Sequence, residues 1–455
     1  MTIPVSIFWF RRDLRLEDNA GLYHALKGPN LVLPIFIFDR NILDELSDRS
    51  DSRLTFIYQA LSELRTQLAE MGSTLRVYHG FPAQVWADIL QEYKVAQVFT
   101  NRDYEPYALQ RDAAVEAQLA AQSVPFLRFK DQVIFEKDEV LKSDGTPYTV
   151  FTPYSRRWKE KLETRWAQSS STEADSPKIS YFLQSYPTEK YFDNLLKIKD
   201  LPSAECPMPT YADLRFSPSQ LNFPPKEVAR GLIRNYDKTR NIPGIRGTSR
   251  LGVHFRFGTL SIREKARHAE PLNATFLNEL IWRDFYSQIL AHFPQVVTQA
   301  FRPVYDRIEW RTSSEDFEKW KNGQTGYPLV DAGMRELNAT GFMHNRVRMV
   351  VASFFSKHLL LDWRLGEAYF AEKLLDYDLA SNSGGWQWAA GSGTDAAPYF
   401  RIFNPELQMK KFDPDLQYVR KWVPEYGTPK YVRPMVEHTF ARARCLDVYK
   451  KGLQD

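Results

Sequence analysis

Two short segments near the start of the chain, Val5–Phe10 and Leu31–Phe38, are apolar almost without interruption and have no polar side. Strands of this kind must be covered on both faces, which is the situation of a parallel sheet sandwiched between helices. The intervening sequence supplies the helices. Asn19–Leu26 has helical character. Arg53–Met71 carries Leu54, Ile57, Leu61, Leu64 and Leu68 at helical spacing and stops at Gly72. Thr74–His79 alternates like a strand, Pro82–Tyr93 is helical again, and Ala96–Thr100 reads as another buried strand. Strand and helix in alternation predict an α/β domain, a Rossmann-like parallel sheet, over residues 1–130.

Beyond that point the pattern dissolves. Ser169–Ser171, Ser176–Pro177, Pro202, Pro207, Pro209, Pro218 and Pro224–Pro225 mark residues 131–225 as a connector. From Lys226 onward helical periodicity takes over, as in Phe276, Leu277, Leu280, Ile281 and Phe285, and residues 226–455 are expected to form an all-helical domain. No stretch approaches the ~18 apolar residues of a membrane span. The start lacks the long apolar region and cleavage site of a secretory signal, and Cys206 and Cys445 cannot build a disulfide framework. A cytoplasmic protein is expected. Charge is divided unevenly: 25 basic and 28 acidic residues through position 200, then 35 and 28. A mildly basic second half suits a polyanionic partner.

Chemistry concentrates in that half, and the chain as a whole carries an unusual aromatic load that includes 11 Trp. On a helix over Asn278–His292, Glu279, Trp282, Arg283 and Tyr286 share one face. Carboxylate, indole and guanidinium together do not make a core stripe, although a solvated ion pair with a tryptophan at its edge would look the same. Asn345, Arg348 and Met349 form a second mixed face, with methionine offering polarisable packing to a ring. His344 has no partner at metal spacing and reads as structural; no metal site is expected. The segment Asp376–Asp395 holds Asp376, Asp378, Asn382, four glycines, Trp386 and Trp388. The two tryptophans share a side if the segment is extended and diverge if it is helical, so it is either a packing corner or a ligand site. Gly247-Thr248-Ser249-Arg250-Leu251 supplies hydroxyls and free backbone N–H groups before an apolar segment, which suits a diphosphate as well as an ordinary cap. Together these segments ask for a bulky, planar, phosphate-bearing cofactor in the helical domain.

Several long motifs then become recognisable in order. Phe8-Trp-Phe-Arg-Arg-Asp-Leu-Arg-Leu16, Asn278-Glu-Leu-Ile-Trp-Arg-Asp-Phe-Tyr286, Met343-His-Asn-Arg-Val-Arg-Met349 and the stretch Trp386 to Arg401 resemble the photolyase/cryptochrome family over essentially the whole chain. The closest likeness is to class I cyclobutane pyrimidine dimer photolyases. The resemblance implies a light-driven enzyme that repairs pyrimidine dimers in DNA, working as a monomer with FAD in its reduced form, FADH⁻. It implies FAD contacts at Tyr236, Thr248, Ser249, Arg250, Leu251, Gly252, Arg283, Asp376, Asp378 and Asn382. Glu279, Trp282, Asn345, Met349 and Trp388 would line the lesion pocket, and Trp386, Trp363 and Trp310 would relay electrons. Arg240, Arg346, Arg401 and Gln408 would hold the DNA strand.

Related activities are weighed by the same residues. Methionine at 349, where (6-4) photolyases usually carry histidine, favours cyclobutane dimers. Asn382, in place of the aspartate of plant-type members, and a short end after Arg401 argue against a signalling cryptochrome. Trp386-Gln-Trp388 argues against the single-strand-preferring subgroup. The family also implies a second, light-harvesting chromophore of deazaflavin, folate or flavin type. Tyr107, Ala108 and Thr298 depart from the folate pattern, and Asp103 and Glu105, with Arg53, are its expected contacts, though the segment Asp103–Tyr107 reads equally as a charged loop.

Overall fold

The computed structural model describes residues 4–163, 180–201 and 207–454. The serine- and proline-rich stretch at 169–177, Pro202 and Cys206 lie outside them. The described chain divides into two compact units: residues 1–136, 160–226 and 253–268 in the first, and 137–159, 227–252 and 269–455 in the second. By this division residues 137–159 of the expected connector group with the helical unit, and the described residues of 160–226 with the sheet unit.

In the first unit five strands, β1 (Val5–Phe10), β2 (Leu31–Asp39), β3 (Arg76–Gly80), β4 (Val95–Asn101) and β5 (Phe126–Phe129), form one all-parallel sheet in the order β3-β2-β1-β4-β5. Val5 sits opposite Leu31 and Phe10 opposite Phe36. The helices between them are α1 (Ala20–Leu26), α2 (Ser52–Glu70), α3 (Pro82–Glu92) and α4 (Pro106–Ala120). Local chemistry sets their starts: Asn19 accepts from the backbone N–H of Leu22, Asp51 from that of Arg53, and Pro82 and Pro106 occupy first-turn positions where no N–H is missed. Every residue of β1 is buried, which is why it shows no alternation in sequence. Four buried charges hold later sequence onto this unit. Arg263 binds Asp18 and Asp131, and Arg15 binds both oxygens of Asp131 at 2.8 and 2.9 Å. Burial alone would raise the Asp131 carboxyl, but Arg15 and Arg263 overcome it and leave it below its ordinary value.

The second unit is helical. Its central elements are α5 (Ala274–His292), α6 (Asn345–Ser353) running into a π-helical turn at Phe354–His358, α7 (Trp363–Lys373), α8 (Leu379–Ala390) and α9 (His438–Gln454). Helix α8 packs against α5, α6 and α7. It is bounded by Asp378, which accepts from Ser381 N–H at 3.1 Å, and by Gly391 at φ 91°, the left-handed residue that ends many helices. Two glycines set its close approaches: a Cβ on Gly366 would lie 2.1 Å from the Trp386 ring, and one on Gly384 would lie 2.3 Å from Tyr286. Among the described residues no helix is long and apolar enough to cross a membrane.

Two buried imidazoles make this unit acid-sensitive. Burial, reinforced by Arg348 and Arg346, pushes His344 down to about 4; burial, with His438 and Arg444, pushes His358 to about 3. Below pH ~6.5 the unfolded chain takes up protons at both positions and the folded protein does not, so stability falls as pH drops from 6.5 toward 4. Between pH 7.5 and 5 these two imidazoles by themselves remove ~2 kcal/mol or more, offset in part by the raised carboxyls of Asp331, Glu336 and Glu367, and denaturant titrations should show the acid sample weaker. Equal midpoints would show that these imidazoles are not held neutral.

Candidate active site

Helix α5 presents the first group of reacting side chains. Its N-cap, Asn273, accepts from Thr275 and Phe276, and its buried side is built from Phe276, Leu277, Leu280, Ile281, Phe285 and Ile289. Glu279, Trp282, Arg283 and Tyr286 occupy the half-buried side, as the spacing requires. The Glu279 carboxylate pairs with Arg240. Burial raises Glu279 above the ordinary carboxylate range and Arg240 works against that rise. Trp282 lies parallel to Phe151, with ring centroids 3.7 Å apart and planes 3° from parallel, and Tyr286 flanks it at 5.4 Å. Phe151 is held in turn by Asp395, which accepts from its backbone N–H at 3.3 Å.

Helix α6 supplies the second group. His344 caps it by accepting from Arg346 N–H at 3.2 Å, and Asn345 at its first position is exposed. Arg346 donates to Asn241 Oδ1 at 2.8 Å, lies over the Phe412 ring at 4.4 Å and reaches Met349 Sδ at 3.5 Å. Arg348 donates to both oxygens of Asp376 at 2.9 and 3.0 Å and to the carbonyl of Met343 at 2.7 Å. Asp376 lies against the backbone of Gly252, where a Cβ would come within 2.6 Å of the carboxylate. Glycine is needed at 252 for that approach.

Helix α8 carries the third group. Because the segment is helical, its two tryptophans diverge: Trp386 is buried and Trp388 half-buried, near Phe403. Trp386 touches Trp320, Phe355 and Phe370 at 5.0–6.1 Å, and its buried Nε1 has no hydrogen-bond partner among the described residues. Asp378, Asn382, Gly385 and Trp388 follow one another along one side. A Cβ at Gly385 would meet nothing within 4 Å, so this side opens onto empty space. At its edge the Asn382 amide donates to Glu367 Oε1 at 2.8 Å and to the Glu367 carbonyl at 3.1 Å. Both donors point at Glu367, which leaves the amide oxygen as the acceptor for an incoming N–H. Burial raises the Glu367 carboxyl, and the bond from Asn382 opposes the rise.

The remaining expected residues take these places. Tyr236 begins a short helix with its ring edge-on to Phe276 at 5.1 Å, and burial raises its phenol. Thr248 and Ser249 precede Arg250, whose φ of 55° is left-handed, and buried Leu251. Trp363 is buried at the start of α7, and Trp310 is half-buried and edge-on to Tyr449 at 5.9 Å. Trp386, Trp363 and Trp310 make no ring-to-ring contact with one another among the described residues. Arg401 is exposed and Gln408 half-buried. In the sheet unit Arg53 is tied to Asp51, while Asp103 and Glu105 bind Arg12, and Glu105 also binds Arg256. Burial alone would raise Asp103, but Arg12, Arg11 and Arg256 outweigh it and hold the carboxyl at about 2. None of these three lines the open cleft of ≈ 660 Å³ bounded by Arg40, Asn41, Phe81, Tyr107 and Arg111.

Phe151, Arg348 and Glu367 were not singled out as site residues from sequence. Arg348 alone carried a signal, through its helical spacing from Asn345.

The open side of α8, an acceptor amide and the ion-paired Asp376 together fit a planar heterocycle rich in donors and acceptors. Comparison with known proteins agrees. Residues 276–429 match the FAD binding domain of DNA photolyase, and residues 6–176 match DNA photolyase. The chain therefore belongs to the DNA photolyase family, which also contains the cryptochromes. A deoxyribodipyrimidine photo-lyase of Halobacterium salinarum is 35% identical over 504 residues, covering 99% of this chain and all of that one. Among solved structures, a class III photolyase of Agrobacterium tumefaciens is similar with a TM-score of 0.83 and 30% identity, covering 100% of this chain and 99% of the other. A photolyase of Sulfolobus tokodaii, solved with two FAD molecules, has a TM-score of 0.79 and 31% identity, covering 98% and 99%.

Proposed function

We propose that this protein is a deoxyribodipyrimidine photo-lyase that repairs cyclobutane pyrimidine dimers in DNA under light, with FAD in its helical unit. The observation that carries this reading is the juxtaposition on α5 of a half-buried carboxylate, Glu279, with an indole platform, Trp282, already backed by Phe151. FAD in its reduced form, held by residues such as Asn382 and Asp376, would supply the light-driven electron transfer that opens a cyclobutane ring.

The chain's own residues do the rest. A dimer inside a duplex must be extruded to reach a buried site, at lower cost than a normal base pair because it is already poorly stacked. Trp282, stiffened by stacking with Phe151, supplies an apolar surface to the pyrimidines, and Trp388 and Met349 close the apolar boundary. Glu279 hydrogen-bonds the base edges. Burial raises its carboxyl against the pull of Arg240, which favours a group able to share a proton as negative charge grows on the bases. Asn345 contributes both donor and acceptor. Asn382, aimed by Glu367, and Asp376, aimed by Arg348, hold the cofactor ring. Tyr236, Thr248, Ser249, Arg250, Leu251, Gly252, Arg283 and Asp378 complete its binding. Trp386, Trp363 and Trp310 relay electrons inward from solvent.

Arg240, Arg346, Arg401 and Gln408 bind the strand through phosphates, without reading sequence. A second, light-harvesting chromophore would occupy the cleft bounded by Arg40, Asn41, Phe81, Tyr107 and Arg111, beyond the carboxyl ends of β2 and β3, where ligands settle in open parallel sheets. Arg53, Asp103 and Glu105 do not line it. The deciding experiment is repair of dimer-bearing oligonucleotides by the flavin-loaded protein, in light and in darkness. Repair is expected only in light. Equal yields in both, or none in either, would refute the assignment.

A further inference from the structure

A lysine ammonium is costly to bury, and Lys357, in the π-helical turn Phe354–His358, is 1% exposed. Among the described residues no carboxylate pairs with it. Its single hydrogen bond runs from Nζ to the backbone oxygen of Arg401, 3.0 Å away. Burial pushes the amine down to about 8, with only the Cys445 thiol opposing. A methionine would fill the same space without carrying a charge out of water. Positive charge kept at such a place is maintained for what it holds, and it holds the segment that bears Arg401.

The holder is rigid. Helix α9 clasps the π turn, as Arg444 donates to the His358 carbonyl at 2.6 Å and His438 shares a hydrogen bond with His358 at 2.9 Å. Single π turns are found disproportionately at functional sites. The held segment has little of its own. Arg401 N–H donates to Pro398 O and Ile402 N–H to Phe400 O, both within the segment, while Phe400 and Arg401 are exposed. Tyr399, stacked on Tyr449 at 5.8 Å, is the neighbouring anchor.

We propose that Lys357 is a positioning residue for DNA binding: its ammonium fixes the main chain at Arg401 so that the Arg401 guanidinium meets a strand phosphate. This rests on the reading of Arg401 as a strand contact. The test is dark binding of the flavin-loaded protein to a dimer-bearing oligonucleotide across about 50–200 mM salt, where each phosphate contact adds about 0.9 to the salt slope. Arg401→Ala is expected to weaken binding and to lower the slope by about 1. Lys357→Met should reproduce that slope change, lose roughly 3- to 30-fold in affinity by the same phosphate arithmetic, and add nothing when combined with Arg401→Ala. Flavin content reports folding. If Lys357→Met does not accumulate as flavoprotein, Lys357→Gln, whose amide falls one bond short of the carbonyl, is read in the same way. Parent-like slope and affinity in the lysine variant, or additive losses in the double variant, overturn the tether. An unchanged slope in Arg401→Ala instead removes the strand contact itself, and the tether with it.

Discussion

Protein carrying Gly385→Leu should emerge folded but colourless. Mid-helix glycine is normally a liability of up to ~1 kcal/mol relative to alanine, so its presence calls for a local reason. Neighbouring glycines have packing reasons, since side chains at Gly366 and Gly384 would collide with Trp386 and Tyr286. Gly385 has no such neighbour, and a Cβ there meets open space on the side of α8 that also carries Asn382 and Trp388. Leucine would project into the volume assigned to the flavin ring while improving the helix itself. We expect affinity for FAD to fall by ~100-fold or more, as a displaced planar ligand loses most of its contacts, with apo-protein stability unchanged or slightly higher. Gly384→Ala should do the opposite, lowering stability through Tyr286. Visible absorbance after reconstitution and thermal melting read both arms. A yellow Gly385→Leu protein with one bound flavin would place the cofactor elsewhere.

The second large effect concerns Glu279. Glu279→Ala removes a carboxyl that burial raises on the same helix face as Trp282 and leaves Arg240 without its partner. Flavin binding should persist, because Glu279 is not among the groups around Asn382 and Asp376. Repair per absorbed photon should fall roughly tenfold or more, as when a preorganised donor to a developing charge is deleted. Glu279→Gln, which keeps a hydrogen-bond donor but cannot give up a proton, separates the two contributions: near-parent repair would assign the effect to hydrogen bonding alone. Unchanged yield in Glu279→Ala would remove the carboxyl from the mechanism.

Much of this architecture can be read directly from the chain. Strands β1 and β2 are legible because a doubly covered strand has no polar side, and α2 because its leucines recur at one angle. Strand β5 was missed: Phe126–Phe129 is short and half-buried, with neither alternation nor a continuous apolar run to mark it. The α5 face of Glu279, Trp282 and Arg283 was legible because it places unlike chemistries at one helical spacing. Phe151 was hidden in a segment whose composition reads as a connector, and its role depends on a ring 131 positions later. Glu367 looks like any surface charge on α7 until Asn382 is brought against it. The Trp386–Trp388 ambiguity was settled by the ends of the helix, Asp378 and Gly391, rather than by the tryptophans.

The discontinuous make-up of the sheet unit has a consequence for biosynthesis. The middle strand acquires its second neighbour only when translation has passed Asn101, and the buried aspartates at 18 and 131 receive the Arg263 guanidinium only after more than half the protein has left the ribosome. Until then the nascent chain exposes strand edges and an Asp18 without its guanidinium partner, an aggregation hazard that chaperones would have to cover. No single cut can therefore divide the gene into two independently folding cassettes, since any break between 137 and 268 strands part of one core on the wrong polypeptide.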